Sequence, residues 1–296
     1  MARRPNFFIV GAPKCGTSAL ASWLSEHPRV WMPRLKEPGF FATDLRYRAI
    51  RSEKRYLRLF SGADPLRHAR IGEASTTYLF SKAAVGEIER WQPGSLYIVM
   101  IRNPVDMAYA LFWQHRFVGW EPEMRFEAAW EQALAEGGRR KVRCDEPRLL
   151  DYPAVCAVGQ QIERLLDRVP RSRVHFVLLD DLRRDPREAY LRVLDFLGLP
   201  DDGRRTFPVV NSAREPRSLL AARLLGKTGQ LWARLGLGYA PPVWHAGRWL
   251  RQGLNARIAP RPPLPGQLRA RLARHFGSEV QRLEQILGKD LRAWRA

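Results

Sequence analysis

Gly11, Lys14, Gly16, Thr17 and Ser18 share the short string Gly-Ala-Pro-Lys-Cys-Gly-Thr-Ser, a set of residue types suited to holding an anion. Where a strand turns into a helix, the first N–H groups of the helix are unpaired and its dipole adds partial positive charge. Glycine lets the backbone come close to the anion. The nucleotidase pattern G-x-x-x-x-G-K-[ST] puts its lysine directly after the second glycine, to reach the β and γ phosphates. Here Thr17 follows Gly16, and the lysine lies inside the loop as Lys14. A lysine there sits beside the 5′-phosphate of a nucleotide, with nothing arranged for a γ-phosphate and its Mg²⁺. Two other places offer chemistry. Lys36 and Glu37 stand in a loop with Pro33, Pro38, Gly39 and the paired aromatics Phe40 and Phe41. Arg102 closes an apolar run, and a guanidinium at the carboxyl end of a parallel strand can grip a phosphate bidentately.

The elements that must position these residues follow from the pattern. Residues 7–10, Phe-Phe-Ile-Val, read as a strand, and Ala19, Leu20, Trp23 and Leu24 resume at helical spacing until His27-Pro28 stops the helix. A short strand is expected at residues 30–32, and residues 71–78 read as strand into loop, with a short helix between them carrying Tyr56, Leu57 and Phe60. Residues 96–101 form the clearest buried strand. Helices follow from Val105, from Phe126 to the stop at Gly137-Gly138, and from Val155 to Leu166. The last central strand is residues 174–179, and Asp185-Pro186 opens a helix ended by Gly198. Five strands separated by helices predict an α/β fold, a central five-stranded parallel sheet flanked by helices in a P-loop-like nucleotide-binding arrangement.

The string Ala-Pro-Lys-Cys-Gly-Thr-Ser-Ala-Leu resembles the loop with which sulfotransferases hold the 5′-phosphosulfate of 3′-phosphoadenosine 5′-phosphosulfate, PAPS. Lys-Glu-x-x-Phe-Phe at residues 36–41 is similar to the loop that supplies the catalytic base in the heparan-sulfate type and in bacterial relatives. The resemblance implies Lys14 and Glu37 as catalytic residues, with Phe40 and Phe41 packed beneath Glu37. It implies Lys14, Cys15, Gly16, Thr17, Ser18, Arg102 and position 110 around the donor, and Lys36, Glu73, Ser75 and Tyr78 at the acceptor. Ser75 and Thr76 also suit a helix cap. The family pattern after Arg-Asn-Pro carries a serine on the 3′-phosphate, and this chain has Ala110 there. Losing one neutral hydrogen bond costs about 1 kcal/mol of donor affinity. His115 is a rival base, because cytosolic members of the wider superfamily use a histidine. The resemblance covers roughly residues 7–200 and resumes at a terminal helix over residues 268–294.

A chain of 296 residues, 45% hydrophobic and 27% charged, suits a soluble globular protein with a substantial core. One sulfotransferase domain over residues 1–296 is expected: a donor-binding core at 5–200, a basic aromatic-rich cover at 201–264 and a carboxyl-terminal helix at 265–296. The formal net charge of +20 draws anions: a nucleotide, an acidic glycan, a lipid headgroup or nucleic acid. Cys15, Cys144 and Cys156 are too few and scattered for a disulfide framework or a zinc site, and no metal is expected. Met1-Ala2-Arg3-Arg4 leads into the first strand without a signal-peptide core, so a cytoplasmic protein is expected. Basic residues from Arg214 to Arg261 outnumber the acid Glu215 and interleave with Trp232, Tyr239, Trp244 and Trp249. Such a stretch can roof an acceptor site or lie against an anionic membrane. The expected partner is a small-molecule or glycan acceptor; no nucleic-acid recognition motif occurs. Two other readings stand beside sulfuryl transfer from PAPS to a carbohydrate or glycolipid hydroxyl or amine: a P-loop small-molecule kinase, and a weakened nucleotide- or polyanion-binding relative.

Overall fold

Phe7, Phe8, Ile9 and Val10 expose no surface, as a parallel strand covered on both faces requires. In the computed structural model, which describes residues 3–142, 144–208, 214–216, 256–258 and 261–295, they form β1 (Phe7–Gly11). Helix α1 (Thr17–Ser25) follows, then β2 (Val30–Trp31), α2 (Glu53–Arg58), β3 (Arg70–Ala74), α3 (Ala84–Trp91) and β4 (Leu96–Ile101). Next come α4 (Pro104–Val118), α5 (Phe126–Glu136), α6 (Tyr152–Cys156), α7 (Val158–Leu166), β5 (Val174–Leu178), α8 (Leu179–Arg184) and α9 (Pro186–Phe196). The chain ends with β6 (Arg214–Pro216), β7 (Ala256–Ile258), α10 (Gly266–His275) and α11 (Gly277–Leu287).

Among the described residues, five strands form a parallel sheet in the order β2-β3-β1-β4-β5. The chain lays β2 and β3 on one side of β1 and then crosses to β4 on the other, which makes β1 the switch point. Ligands of open α/β sheets bind beyond the carboxyl ends of the strands at such a point. The β1 end carries the Gly-Lys-Gly loop, the β3 end Ser75 and Thr76, and the β4 end Arg102.

The chain divides into two compact units. The first, Met1–Met107, Ala157–Val210 and Leu272–Ala296, holds the parallel sheet. In it Asp185 caps α9 by accepting from the Glu188 N–H at 2.9 Å, and Trp294 Nε1 donates to Asp180 at 3.1 Å. The second, Ala108–Cys156 and Asn211–Arg271, packs Phe112, Phe126 and Tyr152 edge to face or tilted around a buried ion pair of Arg140 and Glu121. Its β6 and β7 pair antiparallel.

Two predicted helices are each divided. Residues 155–166 break at Ala157, whose ψ of 61° leaves the helical region, and this break lies at a boundary of the two units. The terminal helix ends at His275 and restarts at Gly277, with Phe276 at φ −87°, ψ 7° between them. A short hydrophobic period continues across both breaks, so spacing alone joins the pieces. Most of the predicted cover segment, with its four interleaved aromatics and Val210-Asn211-Ser212, lies outside the described residues, as does Arg143. Among the described residues no helix is long and apolar enough to cross a membrane.

Candidate active site

Residues 12–16 leave β1 and are pinned at once to the neighbouring strand, the Ala12 N–H donating to the Met100 carbonyl at 2.8 Å. Gly16 is the N-cap of α1 at φ +90°, a conformation natural to glycine. A Cβ on Gly16 would lie 3.0 Å from Leu179 Cδ1 and 3.2 Å from Leu182 Cδ2. A Cβ on Gly11 would lie 2.9 Å from Leu79 Cβ and 3.0 Å from the Thr76 carbonyl. Both glycines therefore clear space for α8 and for the turn after β3, where the sequence suggested close approach of a ligand. Thr17 opens α1, and Ser18 follows it with its side chain half-buried.

The Cys15 thiol turns into the core, against the Pro13 carbonyl at 3.3 Å and Met107 Sδ at 3.9 Å. Only its backbone is left to face an anion. Burial pushes this thiol up to about 12, against the pull of the Arg102 and Lys14 charges, so two cations converge on the loop. Arg102 Nη1 donates to the Lys14 carbonyl at 3.3 Å. Its buried Nε has no hydrogen-bond partner among the described residues, and burial lowers the guanidinium below its ordinary pKa.

Glu37 stands across from this loop. Its carboxylate accepts from the Thr76 N–H at 2.7 Å, from Thr76 Oγ1 at 3.1 Å and from Lys36 Nζ at 2.8 Å. Lys36 Nζ also donates to Thr17 Oγ1 at 3.1 Å. The loop is tied down by the Glu37 N–H on the Ala74 carbonyl at 2.9 Å, the Gly39 N–H on Ser75 Oγ at 3.0 Å and the Phe41 N–H on the Tyr78 hydroxyl at 3.4 Å. Among the described residues, Lys14 and Glu37 are the non-glycine residues with positive φ, at 63° and 62°. Such conformations cost on the order of 1–3 kcal/mol and persist where the surroundings enforce them, often at functional sites.

Three expected acceptor contacts are corrected. Glu73, Ser75 and Tyr78 are each 0% exposed, so their side chains cannot touch an acceptor. They lie beneath the Glu37 loop because Ser75 and Tyr78 spend their oxygens on its backbone and Glu73 spends Oε2 on Tyr78 (2.6 Å) and Tyr56 (3.1 Å). Lys36, also expected at the acceptor, spans Thr17 and Glu37 with its side chain 28% exposed. Phe40 stacks on Tyr56 at 4.5 Å and Phe41 lies edge to face with Tyr78 at 5.9 Å. His115 is 4% exposed and stacked on Trp120. Ala110 is buried on α4 and brings no hydroxyl. Thr76, which fixes the carboxylate, was expected only as a helix cap. Its only signal was its place after Ser75 in Gly-Glu-x-Ser. Among the described residues no group of three or more His, Cys, Asp or Glu side chains could hold a metal ion.

The sulfotransferase domain model matches residues 4–211. A bifunctional heparan sulfate N-deacetylase/N-sulfotransferase 1 from Caenorhabditis briggsae is 24% identical over 268 residues, covering 86% of this chain and 29% of that protein. Human carbohydrate sulfotransferase 15 is 30% identical over 148 residues, covering 36% of this chain and 26% of that one. The chain thus spans less than a third of the length of these curated relatives. The crystal structure of a sulfotransferase from Alicyclobacillus acidocaldarius superposes with a TM-score of 0.72 at 27% identity, covering 99% of this chain and 100% of that one. Its match over nearly the whole chain agrees with the domain model that covers most of the residues, and this chain belongs to the sulfotransferase domain family.

Proposed function

We propose that this chain transfers the sulfuryl group of PAPS, the donor its family uses, to a hydroxyl or amine of a carbohydrate or glycolipid. One observation carries the reading. Arg102 donates to the Lys14 carbonyl on one side of the loop, and on the other a run of hydrogen bonds leads from Thr17, the first residue of α1, through Lys36 to Glu37 and Thr76. It joins a cationic phosphate loop to a fixed carboxylate. Carbohydrate is preferred as the acceptor class because the relatives include carbohydrate and heparan sulfate sulfotransferases.

PAPS, when bound, supplies a sulfur–oxygen bond whose leaving group is a phosphate. In this reading the N–H groups and hydroxyls of residues 16–18 hold the 5′-phosphate, and the Lys14 ammonium offsets the charge left on it. Arg102 offers its unpartnered Nε to the 3′-phosphate. Glu37 takes the acceptor proton with Thr76 holding its carboxylate in place. Ser75 and Tyr78 position the loop from below, and Glu73 anchors Tyr78.

The test is calorimetric titration with adenosine 3′,5′-bisphosphate, the desulfated product, beside ATP with Mg²⁺. The bisphosphate should bind and ATP should not, and Arg102→Ala should weaken binding about tenfold or more. Lys14→Ala and Glu37→Ala should lower PAPS-dependent turnover by about 10²–10⁴-fold. Full turnover in Glu37→Ala would move the base elsewhere, and preference for ATP would revive the kinase reading.

A further inference from the structure

Lys36 has two partners at once, and they belong to opposite halves of the proposed reaction. Its ammonium donates to Thr17 Oγ1 at 3.1 Å on the first residue of α1, and to Glu37 Oε1 at 2.8 Å. Both ends of the ion pair are partly open to water, the side chains being 28% and 30% exposed. Glu37 does not depend on this bond for its position. The Thr76 N–H and hydroxyl hold its carboxylate at 2.7 and 3.1 Å, and its N–H is fixed to the Ala74 carbonyl. One partner of the carboxylate is thus a rigid backbone amide and its neighbouring hydroxyl. The other is a point charge on a flexible four-carbon stem.

Negative charge arriving at the Thr17 end attracts the Lys36 ammonium and repels the Glu37 carboxylate. A carboxylate released by its cationic neighbour has a lone pair open to another donor. We infer that Lys36 couples donor occupancy to the base: with the loop empty it quiets Glu37, and with a phosphate in the loop it turns toward that anion and leaves Glu37 free to take a proton. Lys36 is a positioning residue in this scheme, shared between the two sites. The inference rests on the donor reading above and assigns a regulation to that same pair of groups. By linkage, what the phosphate does to Glu37, Glu37 must do to the affinity for the phosphate.

That reciprocity gives a test independent of the acceptor. Adenosine 3′,5′-bisphosphate is titrated calorimetrically into the wild-type chain, Glu37→Gln, Lys36→Met and the double variant, with Lys36→Gln as a second neutral replacement. Glu37→Gln should tighten binding about threefold, the scale of a part-exposed ion pair. Either Lys36 replacement should weaken binding, and in its presence Glu37→Gln should change nothing further. An equal effect of Glu37→Gln with and without Lys36 would be plain charge repulsion, and would overturn the coupling. So would no effect in either background. If the wild-type chain fails to bind the bisphosphate, the donor reading itself falls, an outcome distinct from both.

Discussion

Glu73 in the first unit and Glu121 in the second are both shut away from water, at 0% and 1% exposure, and both accept from tyrosine hydroxyls. They are held in opposite ways. Glu121 receives Arg140 through two guanidinium bonds at 2.9 and 3.1 Å, Tyr152 at 2.8 Å and the Glu123 N–H at 3.0 Å, while Gln132 accepts from the same arginine at 2.6 Å. Glu73 has two tyrosine hydroxyls on Oε2 and, among the described residues, no cation bonded to it. Its Oε1 makes no well-formed hydrogen bond among the described residues, although the Ser75 hydroxyl is near enough to ease the charge. Burial pushes Glu73 up to about 7, with Tyr78, Ser75 and Tyr56 pulling against it and Glu37 adding to the rise. The lesson is that hydroxyl donors suffice to bury a carboxylic acid, whereas a buried carboxylate wants a guanidinium.

The sharpest way to break this contrast is Arg140→Met. It strands Glu121 as an uncompensated buried charge, and unfolding in urea should show a loss of about 3–5 kcal/mol. A loss near zero would mean that Tyr152 and the Glu123 N–H hold the charge by themselves.

The Glu73 side is sharpened by pH. Its carboxyl is raised from the ordinary 4.5 to about 7 in the folded chain. The folded state then binds more protons than the unfolded one between those values, so stability falls as pH rises through the window and is flat above it. His175 acts the other way. Buried beside Arg171 and Arg192, it is lowered to about 4, so its neutral form contributes stability at neutral pH that is lost as pH falls. The difference between wild type and Glu73→Gln isolates the first effect: it should shift by about 3 kcal/mol in favour of the variant from pH 4.5 to 8. A difference that does not move with pH would show that Glu73 is ionised throughout.

A smaller effect separates the two tyrosines. Tyr78→Phe takes a donor from Glu73 and an acceptor from the Phe41 N–H, and should cost about 1–2 kcal/mol at pH 5. Tyr152→Phe leaves Arg140 in place and should cost about 1 kcal/mol or less. The reverse order would mean that the guanidinium is not the dominant partner of Glu121.

The strands and the phosphate loop were legible because they depend on neighbours in sequence. Residues 7–10 and 96–101 are continuous apolar runs, and Arg102 follows directly on the second. Glu37 was legible through its loop motif. The grip of Thr76 on Glu37 crosses 39 residues, and that of Lys36 on Thr17 crosses 19. No local spacing encodes such contacts. The acceptor role expected of Glu73, Ser75 and Tyr78 failed for a related reason: a polar residue after a strand can face the cleft or the layer beneath it, and tertiary packing chooses. The glycines misled differently, because a missing Cβ reads alike whether a ligand or a neighbouring turn occupies the space.

The left-handed backbone at Lys14 and Glu37 gives loss of chemistry a direction in descent. Glycine at either position would relieve strain on the order of 1 kcal/mol while deleting a side chain that the proposed reaction uses. A lineage released from catalysis but still selected to fold should therefore acquire glycine or asparagine at these two positions first, with the apolar strands intact. Duplicated copies retained only to bind a nucleotide would carry that mark, and copies still under selection for turnover would keep the lysine and the glutamate at the expense of stability.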